Sequence, residues 1–201
     1  MSEGIDTEKR ATLRQFAALG AISPLARVID TRSEHDSDAR EAIIGYITAT
    51  PGAHFSKIRD DLGLGTGETQ HHIRRLIESG AIESLRDGDY RRFYPASQFS
   101  AFEQIALGYL RRATPRGMVI ELLRDPAITG SEIATTLGVS PPTISKYASE
   151  LTEAGLLRRT EGYTLVQPEV LLLLLVRYAN SFDKNTVLFA QEAATLITVR
   201  Q

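Results

Sequence analysis

Four histidines, His35, His54, His71 and His72, are the side chains of this 201-residue chain best suited to hold a metal ion or move a proton near neutral pH. His35 stands beside Asp36, and His71 and His72 are neighbours in a stretch of helical periodicity. Adjacent residues of a helix point about 100° apart, so His71 and His72 cannot grip one ion together, and no metal site is expected. Cysteine is absent, which removes disulfides, thiolate nucleophiles, thiolate metal sites and iron–sulfur clusters together. No nucleophile elbow, phosphate loop or paired-carboxylate pattern occurs, so neither an enzyme nor a cofactor is expected. What remains is the chemistry of recognition. Arg86, Arg91 and Arg92 surround Asp87-Gly88-Asp89, and Gln70, His71 and Arg74 share one short helical stretch. Guanidinium groups suit phosphates, a Gln amide suits an adenine edge, and Arg or His suits guanine or phosphate.

The elements that must position these groups occur twice. Residues from about Arg40 to Ser84 align without a gap onto those from about Pro115 to Arg159, at a constant offset of 75 positions. Pro51 falls on Pro126, Ser56 on Ser131, Ile58 on Ile133, Leu62-Gly63-Leu64 on Leu137-Gly138-Val139, Leu76 on Leu151 and Gly80 on Gly155. Such a register marks two copies of one module. Each copy reads as three helices and a hairpin. Ile43, Ile44 and Ile47 mark a helix that Pro51-Gly52 ends; Phe55, Ile58 and Leu62 mark a second; Ile73, Leu76 and Ile77 mark a third that closes at Gly80. In the second copy Ser140 is placed to cap the third helix, Pro141 fits its first turn, and Gly155 stops it. The links Leu62 to Gly65 and Leu137 to Ser140 have helix-turn-helix spacing, so Gly63-Leu-Gly-Thr-Gly67 reads as that turn and not as a nucleotide loop. The hairpins follow: Ile82 to Arg86 and Tyr90 to Tyr94 around Gly88, then a shorter Leu156 to Thr160 and Tyr163 to Val166 around Glu161-Gly162. Helix-turn-helix plus hairpin is the winged helix.

The segment Ser140-Pro-Pro-Thr-Ile-Ser-Lys-Tyr-Ala-Ser-Glu-Leu-Thr-Glu-Ala-Gly155 resembles the recognition helix of ArsR- and MarR-like winged-helix transcription regulators. Thr69-Gln-His-His-Ile-Arg-Arg-Leu-Ile-Glu-Ser-Gly80, with the wing Arg-Asp-Gly-Asp-Tyr-Arg-Arg-Phe-Tyr-Pro95, is similar to archaeal members of that superfamily. The resemblance implies that the third helices enter the major groove of DNA. Their outward positions are then Thr66, Glu68, Gln70, His71 and Arg74 in the first copy, and Pro141, Thr143, Ser145, Lys146 and Ser149 in the second. Arg86, Arg91 and Arg92 of the first wing are expected along the phosphate backbone or in the minor groove, with Asp87 and Asp89 offsetting part of their charge, and Arg158 and Arg159 give the second wing a weaker version. Glu68 places a negative charge near phosphates. His72 holds a position where the family carries His or Tyr for packing, and Tyr147 is its equivalent.

Around the modules, Thr7 to Leu19 reads as a helix with Leu13, Phe16 and Ala17 on one face, and Thr31 to Asp38 as a polar linker. Ser97 to Arg112 reads as a connecting helix striped by Phe99, Phe102, Ile105 and Tyr109, and Thr114-Pro115 as the cap of the next helix. Pro168 opens a helix through Leu171 to Leu175, and Asp183 caps a last one carrying Val187, Leu188, Leu196 and Ile197. Five consecutive leucines surround a helix, so Leu172 and Leu175, with the Phe99 to Tyr109 stripe, are expected at a homodimer interface. The expected organisation is a mainly helical chain: 1–36 an N-terminal helix and linker, 37–96 and 114–166 the modules, 97–113 the connecting helix, and 167–201 dimerising helices.

Composition fits this reading. With 42% apolar and 24% charged residues the chain is globular, and a net charge of −2 leaves any DNA affinity to local patches. The opening MSEGIDTEKR lacks the apolar core of a signal peptide, and Val170 to Val176 is too short to span a bilayer, so a cytoplasmic protein without membrane partners is expected. The expectation is a dimeric, sequence-specific regulator of transcription on double-stranded DNA. The rival is a protein-bridging tandem winged-helix factor, for which the outward face of the third helix would be apolar.

Overall fold

The computed structural model describes residues 31–198, with side chains from 37 to 193. The helix expected over Thr7 to Leu19 and the side chains of Leu196 and Ile197 lie outside the described residues. The chain divides between Phe99 and Ser100 into two compact units.

The first unit opens with α1 (Thr31–Ala49). The polar run expected as a linker is already helical, because no Gly or Pro interrupts the chain between Thr31 and Ile44. Ala42, Ile43, Tyr46 and Ile47 recur at helical spacing and form the α1 side of the core. The chain then turns through Gly52 at φ 81° into β1 (Ala53–His54), a strand too short to leave a periodic signal. α2 (Phe55–Leu62) is capped by His54, whose Nδ1 accepts from the Lys57 N–H at 3.3 Å, and it stops at Gly63 in the left-handed conformation. α3 (Thr66–Glu78) follows after three residues. β2 (Ile82–Asp87) and β3 (Tyr90–Pro95) form the wing, and β1 adds to the far side of β3 to give an antiparallel sheet of order β1-β3-β2. Ile58, Leu62, Ile73, Leu76, Ile82 and Phe93 complete the core.

The second unit begins with α4 (Ala101–Leu110), shorter than the stripe predicts, because Ser100 and Glu103 close a reciprocal cap at its start. α5 (Ala113–Arg124) starts one residue before Thr114, with Arg112 at the cap. α6 (Gly130–Leu137) is capped by Thr129 and Glu132, and α7 (Pro141–Glu153) by Ser140, whose hydroxyl meets that of Thr143 at 2.8 Å rather than a backbone N–H. Gly138 and Gly155 take the positive φ that the two helix ends require. The wing shrinks to β4 (Leu157–Arg158) and β5 (Thr164–Leu165). α8 (Pro168–Arg177), a 3-10 turn and α9 (Lys184–Thr198) finish the unit. Asp183 caps α9, accepting from the Thr186 N–H at 2.8 Å. It also binds the guanidinium of Arg116, which is almost fully buried and donates to the Leu110 carbonyl at 2.7 Å. Burial alone would raise the Asp183 carboxyl, but the Thr186 hydroxyl and N–H and the Arg116 charge outweigh it and hold the group below its usual range.

The leucine run is covered differently from expectation. Leu171, Leu174 and Leu175 are buried inside the second unit, where α8 packs against α4, α5 and α9, and Leu172 is half-buried. Leu175 is therefore core and not interface. Leu173, 60% exposed, is the member of the run that faces solvent, with Val176 one turn on and Leu188 on α9 also exposed. Phe99, Phe102, Ile105 and Tyr109 are half-buried; the Phe99 ring lies against Tyr94, and the Tyr109 hydroxyl donates to the Glu150 carbonyl at 3.3 Å.

Candidate nucleic-acid interface

Helix α3 buries Thr69, His72, Ile73 and Leu76 against the core, which turns Thr66, Gln70, His71, Arg74 and Arg75 outward. Thr66, Gln70 and Arg74 follow one another at four-residue spacing and line one edge of the helix. That edge and the wing enclose a cavity of about 640 Å³, in which Thr66, Gln70 and Arg74 meet Arg91 above Phe55 and Phe93. Glu68 is not among the residues that line this groove. Its carboxylate folds back to accept from the Gly65 N–H at 3.2 Å and caps the helix.

The wing sorts its arginines by strand alternation. Arg86 and Arg91 stand directly opposite each other on the face that carries Phe93. Arg91 is steadied by a 2.8 Å hydrogen bond from its Nε to Ser84 Oγ and lies 5.8 Å from the centre of the Phe93 ring. Both are exposed, and neither forms an ion pair among the described residues. Arg92 points to the opposite face, where the expected DNA contact fails. It is 3% exposed, its Nε is 2.5 Å from Asp87 Oδ2, and its Nη1 donates to the Gly52 carbonyl at 3.0 Å. Asp87 is thereby engaged inside the wing.

The histidines play separate parts. His71 is exposed on α3, and His72 is buried beneath it as a packing residue, the two rings 5.4 Å apart. His54 caps α2 with its ring 5.0 Å from that of Tyr90. Burial first, then the nearby charges of Arg92 and Lys57, keep the His54 pKa below its ordinary 6.5. Among the described residues no three His, Asp or Glu side chains gather as metal ligands.

The second module places Pro141, Ser145 and Lys146 outward on α7, with Thr143 half-buried. Its cations are more engaged. Lys146 lies 3.8 Å from Glu150, which also meets Arg112 at 3.3 Å, and Arg159 donates to Ser149 Oγ at 2.8 Å. Arg158 is exposed. Tyr163 closes the small wing down on Gly130, where an added Cβ would sit 3.0 Å from the ring. Two exposed groups beside the first recognition helix were not singled out by spacing. Arg75 follows Arg74 at the end of α3, and Tyr90, 50% exposed, stands at the wing tip. A tyrosine directly after the hairpin turn is the signal that marks the second.

A family model described as an N-terminal HTH domain matches residues 37–107, and one described as winged helix-turn-helix DNA-binding matches residues 111–158. Neither description names the ArsR or MarR group. No curated protein matches the chain. Among the described residues no helix is long and apolar enough to cross a membrane. Helices, glycine turns and hairpins recur in one order in both units, each under a helix-turn-helix model, and the chain is a tandem of two winged helix-turn-helix domains of DNA-binding type.

Proposed function

We propose that the chain is a transcription regulator that binds double-stranded DNA with sequence preference, and that the first module supplies most of the affinity. The observation that carries this reading is the convergence of Thr66, Gln70, Arg74 and Arg91 on one groove beside a recognition helix, with Arg86 on the same wing face. Gln70, His71 and Arg74 are the base-reading candidates; Arg86 and Arg91 hold phosphates. Pro141, Thr143, Ser145, Lys146, Arg158 and Arg159 make the weaker second footprint.

The test is binding to genomic duplex across a salt series, read by fluorescence anisotropy. Affinity should fall linearly with salt on logarithmic axes, with a slope reduced by about one in Arg91→Ala. A slope near zero would sink the reading and favour the protein-bridging rival. Gln70→Ala should change sequence preference by ~1–3 kcal/mol at one position in a selection experiment.

The proposal includes a homodimer. With Leu175 inside the second unit, the surface that a second copy would cover is exposed Leu173 and Val176 on α8 and Leu188 on α9. Two copies would fix two recognition helices in space, so the operator should be an inverted repeat with half-sites about one helical turn apart. Light scattering at micromolar concentration should give a dimer, and Leu173→Asp a folded monomer. A monomeric wild type removes both the dimer and the inverted repeat.

A further inference from the structure

The repeat brings the same pair of helices together twice and finishes the seam differently. In the first unit Tyr46 of α1 is buried, and its hydroxyl donates to the Asp61 carboxylate of α2 at 2.6 Å, which ties the two helices together. At the offset of 75 positions the counterparts are Glu121 of α5 and Thr136 of α6. Both line a cavity of about 510 Å³ inside the second unit, with α9 as its other wall. That volume falls in the ~300–1,000 Å³ range of small-molecule sites.

The cavity is rich in charge, and its charges are matched. The almost fully buried Arg116 binds Asp183, and two turns further along α5 Arg124 bridges Glu121 and Glu192, each at 2.8 Å. An added cation would meet two guanidinium groups and an added anion three carboxylates, and like charges brought together are costly. Hydroxyl groups donate and accept at once, so they fit such pairs without disturbing them. Thr114, Thr136 and Asn185 add uncharged donors and acceptors, and Ile120, Leu137 and Leu188 supply apolar surface for a C–H face.

We propose that this cavity binds a neutral polyhydroxylated ring of monosaccharide size, its hydroxyls on Arg124, Glu121 and Asn185 and its C–H face on Ile120 and Leu137. The lining shares no residue with either proposed DNA face, so the site goes beyond the DNA-binding reading and does not rest on it.

The probes are D-glucose, D-ribose and myo-inositol at millimolar concentration. Methyl NMR should show shifts at Ile120, Leu137 and Leu188 with at least one of them. It is run on the wild type and on Leu173→Asp, which keeps every lining residue and uncovers Leu188 should a second copy lie over it. For the probe that binds, its phosphate ester and its amino derivative in the ammonium form should bind about tenfold more weakly or worse. Asn185→Ala should lose about threefold to tenfold in affinity, the worth of one neutral hydrogen bond. Glu121→Tyr combined with Thr136→Asp copies the bridge of the first unit and should abolish binding. Thr136→Trp should do the same from an exposed position that leaves the core untouched. No shift at these methyls with any neutral probe in either protein, equal binding of the charged derivatives, or binding retained in Thr136→Trp overturns the proposal.

Discussion

The two modules share a scaffold to the residue and differ in almost everything that scaffold presents. α2 and α6, and likewise α3 and α7, begin and end 75 positions apart, and the glycines that stop α2 and α6 both sit at φ 64°. Yet the first wing has two six-residue strands and a third beside them, while the second has two strands of two residues. The first leaves Arg86 and Arg91 without an ion pair among the described residues; the second ties Arg159 to its own recognition helix and Lys146 to Glu150. Buried apolar side chains and left-handed glycines set the fold, and both copies have them. The outward polar positions do not affect packing, so the copies are free to differ in what they bind.

The sharpest break of this contrast lies within the first wing, between two adjacent arginines. Arg92→Ala removes the buried guanidinium that pairs with the Asp87 carboxylate and donates to the Gly52 carbonyl, and should cost about 3–5 kcal/mol of first-unit stability. Arg91→Ala should cost within about 0.5 kcal/mol, since its side chain is exposed. Chemical denaturation of the two variants measures both. Equal losses would mean that strand alternation does not separate a structural arginine from a binding one.

Between the modules, Arg74→Ala and Arg91→Ala should each weaken duplex binding by about 1–3 kcal/mol. The partnered Lys146 and Arg159 should give well under half of that on replacement. Matched affinity losses in titrations at one salt concentration would reverse the ranking of the modules.

The repeat, the helix boundaries of both helix-turn-helix pairs and the positions of the wings are all legible in the sequence, because apolar periodicity and glycine punctuation are local signals. Three things were not. β1 is two residues long and exists through pairing with β3, a long-range partner that no local pattern announces. Arg92 reads as one of three equivalent wing arginines until the register assigns it to the face of Asp87. The leucine run reads as excess apolar surface until α4, α5 and α9 close over it, which composition alone cannot foresee.

The shared scaffold itself can be tested with a symmetric pair. Gly63→Ala and Gly138→Ala each force a Cβ into the left-handed region, at a cost of about 1–2 kcal/mol. At Gly138 no atom lies within 4 Å of the added carbon, so conformation alone is at stake. Thermal or denaturant midpoints should fall by equal amounts in the two variants, and a clear inequality would mean that the two turns are not interchangeable.

The smallest expected effect is specific to the first module, whose α2 is capped by a group that titrates. His54 accepts the Lys57 N–H through an unprotonated Nδ1, and the matching Thr129 cap in the second module has no such dependence near neutrality. Burial, Arg92 and Lys57 lower the His54 pKa, while Asp60 and Asp61 pull the other way without reversing it. The unfolded chain, with His54 near 6.5, then binds more protons than the folded one as pH falls below that value. Stability from this group is present in full above pH 6.5 and is lost as pH drops through 6.5 towards the lower folded value. His54→Asn keeps a capping acceptor and cannot titrate. Its melting temperature should be flatter than that of the wild type between about pH 6.5 and pH 5, with the two curves converging above pH 7. Parallel curves across that window would show that His54 takes up its proton equally in the folded and the unfolded chain and that the cap does not sense acid.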